Sequence, residues 1–282
     1  MKTLVLGGSG FVGYYITKYF KGIGTSSSQK EGYIKLDITN EMEVKETLQN
    51  MKPDLVINST AIADVDLCEK EADKAMLVNG TSVEWLAELS SKINAKFIQI
   101  STDYVFDGEK GDYTENDKPN PINEYGKSKL VGENNALKYD SIVLRIEMPY
   151  GVNLSKNKNV FFESVLRSFK QNKPVNAATD QIISPTFVED VPRIINALVE
   201  NNQSGTFHLA SKEKLSRYEF VEKMADVFGF SRGGINPTSL DYFKFIAKRP
   251  KKTSLNIDKI SKIVNIDYLE ENFRKIKNAY FV

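Results

Sequence analysis

The chain has 282 residues, room for one large domain or one with a smaller appendage, and enough to bury a sizeable core. Its 38 basic residues nearly cancel its 37 acidic ones, so no global field points to nucleic acid, and 41% hydrophobic with 27% charged residues reads as a globular protein. One cysteine (Cys68) and one histidine (His208) exclude an internal disulfide and a Cys/His zinc site; with no signal-peptide core and no run of ~18 apolar residues, a cytoplasmic protein without a membrane partner is expected.

In chain order, residues 2–6 form an apolar run ending in glycines, as a buried strand does. Residues 11–20 read as a helix, with further strands near 23–26 and 33–36. Asn40 is placed to cap a helix over 41–50, whose first turn is acidic. DLVIN (54–58) is a strand, 72–92 one long helix, KFIQIS (96–101) a strand, 123–139 a helix and SIVLRI (141–146) a strand. The polar stretch 107–123 reads as a surface loop. Beyond it, 159–171 and 189–200 read as helices, 206–209 as a strand and 217–228 as a helix. The tail from about 235 is basic and irregular, then helical near 269–277.

Alternating strands and helices imply a parallel sheet covered on both faces: an α/β, Rossmann-type doubly wound fold. Residues 1–150 are assigned to a dinucleotide-binding domain, to which 187–209 can return, and 151–282 mainly to a smaller C-terminal substrate-binding lobe.

Gly8-Ser9-Gly10-Phe11-Val12-Gly13 satisfies G-x-G-x-x-G, and Gly7, Gly10 and Gly13 satisfy G-x-x-G-x-x-G. Following a strand and opening a helix, these glycines allow a tight turn and close approach of backbone to a pyrophosphate. Cofactors of this class often meet an acid at the end of the second strand, which bonds the ribose 2′-hydroxyl. Here that strand ends in Thr25-Ser26-Ser27-Ser28, with Lys30 beyond. Hydroxyls and a cation suit a 2′-phosphate, so NADP(H) is preferred, with NAD(H) as the alternative. Asp37, followed by Ile38, reads either as an adenine contact or as the start of a turn.

Tyr125 and Lys129 lie at i,i+4 near a helix start and share a face. An ammonium beside a phenol lowers its pKa and makes it a usable acid for a carbonyl under reduction. Thr102, just past the KFIQIS strand, offers a hydroxyl at the carboxyl end of the sheet, where ligands bind in such folds; Ser101 is the weaker choice. His208, Trp85 and Cys68 read as structural, and Asp64, Asp66 and Glu69 as a polar loop leading into a helix.

Together these features resemble the extended short-chain dehydrogenase/reductases and, more closely, the dTDP-4-dehydrorhamnose reductase family. The matching segments are GGSGFVG (7–13), NSTAIADVDLCE (58–69), VNGTSVEWLA (78–87), STDYVFDG (101–108), NPINEYGKSKLVGE (120–133), VLRIEMPYG (143–151), ATDQIISPT (178–186), GTFHLAS (205–211) and RPKKTSLN (249–256). The resemblance implies reduction of a dTDP-linked 4-keto-6-deoxyhexose to dTDP-L-rhamnose, with Thr102, Tyr125 and Lys129 as the catalytic set. It implies that Gly7, Gly10, Phe11 and Val12 line the cofactor phosphates and that Ala61, Ile62 and Ala63 lie along the cofactor. Asp103, Tyr104 and Phe106 would face the sugar nucleotide, and Arg249 would grip its diphosphate or stand as a solvated charge.

The chain departs from the family pattern at two places. Phe11-Val12 replaces a Gln-Leu pair, and Met148 stands where a pocket-lining Trp is usual. Tyr14-Tyr15-Ile16 lacks the glutamate that bridges dimers through Mg²⁺ in some members, so no metal is expected; a homodimer stays open. The same segments resemble the regulatory β-subunit of methionine adenosyltransferase, a non-catalytic NADP-binding alternative. A sugar-nucleotide epimerase is the third reading.

Overall fold

The computed structural model describes residues 1–155 and 160–281. The four residues of β1 (Thr3–Leu6) are wholly buried, because this strand lies inside the sheet with helices on both faces. Then come α1 (Phe11–Phe20), β2 (Ile23–Ser26), β3 (Ile34–Lys35), α2 (Glu41–Met51) and β4 (Leu55–Asn58). The Asn40 side chain caps α2 by accepting from the Glu43 amide. Helices α3 (Val65–Lys70), α4 (Ala72–Met76) and α5 (Ser82–Lys92) lead to β5 (Lys96–Thr102), α6 (Glu124–Ala136) and β6 (Ser141–Ile146).

The expected single helix over 72–92 is broken in the structure. A π-helical turn at Leu77–Thr81 separates α4 from α5, and α3 precedes them unannounced. The turn has a visible use. It aims Asn79 at the loop after β4, where its amide accepts from Ile62 N (2.8 Å) and donates to Ile62 O (3.0 Å). Asn79 also donates to the Ser128 hydroxyl on α6, so one side chain ties two site segments together.

Past β6 lie α7 (Phe161–Lys170), β7 (Val175–Ala178), β8 (Ile182–Ile183), α8 (Asp190–Glu200), β9 (Gly205–Leu209), β10 (Leu215–Ser216) and α9 (Arg217–Phe228). The chain ends through β11 (Ile235–Thr238), α10 (Asp258–Ser261) and α11 (Leu269–Tyr280). The expected start of the α7 region at Asn159 lies outside the described residues. The sheet runs β3-β2-β1-β4-β5-β6-β9, every neighbouring pair parallel. Strand order reverses between β1 and β4, the place where such folds open a ligand crevice.

The lobe has its own core. Tyr150 is ringed by Phe162, Phe187, Phe220 and Phe273, with centroids 5.5–6.0 Å away. Its strands pair only in twos, β7 with β11 and β8 with β10. What reads as an irregular basic tail is partly a strap. Lys252 N donates to Gly108 O, Thr253 N to Ile182 O and Asn256 N to Tyr113 O, while Tyr113 N donates to Ser254 O. The strap therefore sews the 107–113 loop of the sheet half to the lobe.

Candidate active site

The glycine turn makes a cradle. Gly7 sits at φ +71°, and a Cβ there would lie within 3 Å of Thr60. A Cβ on Gly13 would meet the Gly7 carbonyl oxygen at 2.2 Å. Gly10 caps α1 without any side-chain hydrogen bond, so the first-turn amides face outward with no internal acceptor. Exposed amides, a helix N-terminus and absent side chains fit a phosphate. Val12 continues from the cradle into the central cavity, while Phe11 packs edge-on against Tyr15. Ala61 and Ala63 line the same cavity, and Ile62 between them is held by Asn79.

The residues expected at the adenine end are less uniform. Ser26 is buried at the end of β2, where its hydroxyl accepts from Ser28 N, and Lys30 lies over the Tyr33 ring. Asp37 is exposed and closes a turn into α2, accepting from both the amide and the hydroxyl of Thr39. The Ile38 side chain is buried in the apolar cluster with Leu36 and Val44, and its carbonyl accepts from the Trp85 indole. As a side chain, Ile38 belongs to the core rather than to the cofactor crevice.

A cavity of about 290 Å³ lies at the carboxyl end of the sheet. Thr102 ends β5 there, and Tyr125 and Lys129 enter from the first turns of α6. Gly126 lets α6 approach this closely, since a Cβ would fall 2.1 Å from Tyr104 O. Tyr125 and Thr102 line the same wall region of this cavity. The expected effect of Lys129 on Tyr125 is not what the structure shows. Lys129 Nζ donates to Ile100 O at 2.7 Å, and burial raises the phenol above its ordinary value. Burial also pulls Lys129 down to about 8, against the opposing charge of Glu133.

Of the residues expected to face the substrate, Asp103 and Tyr104 line the cavity. Phe106 does not. It is fully buried, stacked on Tyr113 at 4.2 Å and under the Arg145 guanidinium, because the chain turns inward after Val105. Arg249 lies over Phe245 and pairs with Asp66 at 2.8 Å. It borders a second cavity of about 460 Å³, lined by Phe161, Phe243 and Phe245. Arg217 stands between the two cavities, over Phe161, and its buried Nε has no hydrogen-bond partner.

Behind the cavity, Glu133 on α6 takes a bidentate grip from Arg145 on β6, by Nε (2.9 Å) and Nη2 (2.6 Å), and accepts from Ser101 on β5. Neutral His208, held down to about 3 by burial, closes the far side of Arg145. This cluster locks the helix bearing Tyr125 to the strand bearing Thr102. Among the described residues, no group of three or more His, Cys, Asp or Glu could hold a metal ion, and no helix is long and apolar enough to cross a membrane.

A family model described as RmlD substrate binding domain matches residues 1–278. The chain belongs to that family. A probable low-salt glycan biosynthesis reductase of Haloferax volcanii is 33% identical, covering 92% of this chain and 91% of the relative. Methionine adenosyltransferase 2 subunit beta of Xenopus laevis is 31% identical over 93% of this chain and 82% of its own. The crystal structure of a dTDP-4-dehydrorhamnose reductase from Bacillus anthracis, in complex with NADP, superposes with a TM-score of 0.89 at 28% identity, covering 98% of this chain and 99% of that one.

Within the RmlD family fold, sequence reasoning missed several side chains that line the central cavity, among them Gln181 and Thr253. Another is Arg217, the first residue of α9. A further one is Glu147, only 1% exposed, directly after the apolar strand β6. An acid closing a fully buried strand was a readable signal. Beside it, Met148 adopts φ +35° and turns into the same cavity.

Proposed function

We propose that the chain is an NADPH-dependent reductase of a sugar nucleotide, converting the 4-keto group of dTDP-4-dehydro-6-deoxy-L-mannose to the alcohol of dTDP-L-rhamnose. The observation that carries this reading is the meeting of Thr102, Tyr125 and Lys129 in one cavity that Val12, next to the cradle glycines, also lines. The glycine cradle would hold NADPH, which would supply the hydride. The chain's residues do the rest. Thr102 hydrogen-bonds the carbonyl and aligns it. Tyr125 gives its phenolic proton to the developing alkoxide oxygen, and its raised pKa keeps that proton in place until the oxygen becomes basic. Buried Lys129 provides a cation near the reacting centre, where low dielectric strengthens its effect.

Second-strand hydroxyls with Lys30 and no acid support NADP(H) over NAD(H), as does the NADP held by the Bacillus anthracis enzyme. The aromatic second cavity suits a base, which leaves Arg217 and Arg249 beside the diphosphate between base and sugar. The test is NADPH absorbance with the dTDP-4-keto sugar. Turnover that disappears in Tyr125→Phe supports the reading. No turnover, with tight binding to a methionine adenosyltransferase, supports the regulatory alternative.

A further inference from the structure

We propose that Glu147 determines sugar specificity: its carboxyl group hydrogen-bonds the hydroxyl on C3, next to the carbonyl, and so selects 3-hydroxy over 3-deoxy sugar nucleotides. The proposal rests on the reductase reading above, which puts the carbonyl at Thr102. Glu147 lines the central cavity yet is only 1% exposed. Ser184 N and Ser184 Oγ both donate to its Oε2, each at 2.8 Å, and Thr253 Oγ1 donates to its Oε1 at 2.8 Å. Leu255 N donates to the Ser184 oxygen, which commits that hydroxyl's hydrogen to Glu147. The backbone is pinned as well: Glu147 N donates to Thr186 Oγ1, and Thr186 N to Glu147 O.

Hydrogen-bond capacity shows what this carboxyl still lacks. A carboxyl group has about four positions for partners. Two on Oε2 and one on Oε1 are filled, so the open one is on Oε1. Burial pushes the Glu147 pKa up to about 8, which puts acid and carboxylate both within reach near neutral pH. As a carboxylate, the open position accepts a hydrogen bond; as an acid, it donates one. A hydroxyl suits both states, being donor and acceptor at once, whereas a methyl or methylene suits neither.

Sheet register says which hydroxyl. Thr102 on β5 pairs with Ile146 on β6, so Glu147 leaves the sheet one residue beyond the partner of Thr102. Neighbouring strands lie about 4.8 Å apart. A carbonyl bonded to Thr102 therefore has its adjoining carbons, rather than the far side of the ring, beside Glu147. Of those two carbons only C3 carries a hydroxyl; C5 carries the ring oxygen and the methyl. The chain neighbours of Glu147 in the wall, Ile146, Met148 and Pro149, are apolar and cannot take its place. Met148, which lines the same cavity at φ +35°, offers the methyl a soft apolar contact.

The test compares the dTDP-4-keto sugar with its 3-deoxy counterpart. Wild type is expected to favour the 3-hydroxy sugar about 10- to 100-fold in kcat/KM, the worth of a hydrogen bond to a charged group. In Glu147→Met, an apolar side chain of similar length, the ratio is expected to fall to about one. Circular dichroism checks the fold of each variant. Should Glu147→Met not fold, Glu147→Gln carries the test: a neutral bond in place of a charged one is expected to cut the ratio several-fold. A brace between Ser184 and Thr253 alone would lower activity on both sugars alike and leave the ratio unchanged. Equal rates of wild type on the two sugars, or an unchanged ratio in a folded variant, overturn the proposal. Calorimetric titration with dTDP-L-rhamnose and its 3-deoxy form reads the same ratio without turnover. Wild type inactive on both keto sugars, yet binding the 3-hydroxy product more tightly in a way that Glu147→Gln weakens, counts against the reductase reading and not against the contact. Equal affinities for the two products overturn the contact itself.

Discussion

The two halves of the crevice are built from different materials. On the side of the glycine turn the surface is backbone: glycines, helix-start amides and the loop clamped by Asn79. On the opposite side it is side chains: Arg217, Arg249, Glu147, Asp103 and a run of aromatic rings. A backbone surface has no graded variants, because adding a single carbon either fits or does not. A side-chain surface can be retuned residue by residue. The contrast offers a way for one fold to serve relatives named as a reductase and as a methionine adenosyltransferase subunit.

Four substitutions would break or sharpen this contrast. Gly13→Val should abolish NADPH binding altogether, since its Cβ falls 2.2 Å from Gly7 O; titration by NADPH fluorescence, with circular dichroism for the fold, checks it. Measurable affinity there would remove the claim that the cradle is all-or-none. Tyr125→Phe should lower kcat by roughly 10²–10⁴ while NADPH still binds, as single-turnover kinetics would show. Glu133→Gln leaves Arg145 buried and unpaired. A loss of about 3–5 kcal/mol is expected in denaturant unfolding, larger than any surface charge change would give. Arg217→Ala should raise KM for the sugar nucleotide roughly 10- to 100-fold, by loss of hydrogen bonds to a charged group, and leave NADPH affinity unchanged.

The smallest effect is on pH dependence. The folded-state pKa of Glu147 lies above its unfolded value, so the native state holds the extra proton. Its contribution to stability is full below the unfolded pKa and declines as pH rises toward the folded one. Melting curves from acid to mildly basic pH should therefore fall less steeply with rising pH in Glu147→Gln than in the wild type. His208 acts oppositely, costing stability as pH falls from its ordinary value toward about 3.

The sheet was legible because its signals are local. Apolar runs at β1, β4, β5 and β6 stop at polar or glycine residues, and parallel strands buried on both faces read as such runs. The lobe strands were not legible. β7 and β11 have four residues each, pair across about sixty positions, and β11 contains a proline. Helix α3 is six residues long with a single capping Asp64, too short for periodicity to emerge. At the site, motif spacing gave Thr102, Tyr125 and Lys129, which the structure brings together. The family resemblance misplaced Phe106, because a carried-over position does not reveal which way this chain turns after β5. Arg217 escaped because a cation at a helix start has no pattern of its own.

The strap that sews residue 108 to the lobe also imposes an order on assembly. On the ribosome the glycine cradle emerges first and Thr253 among the last residues, and N-terminal segments fold ahead of those still to come. A nascent or truncated chain therefore has the glycine turn before it has Thr253, a part of the cavity wall. Until the strap closes, the central cavity is open on that side, and its wall is completed in one late step.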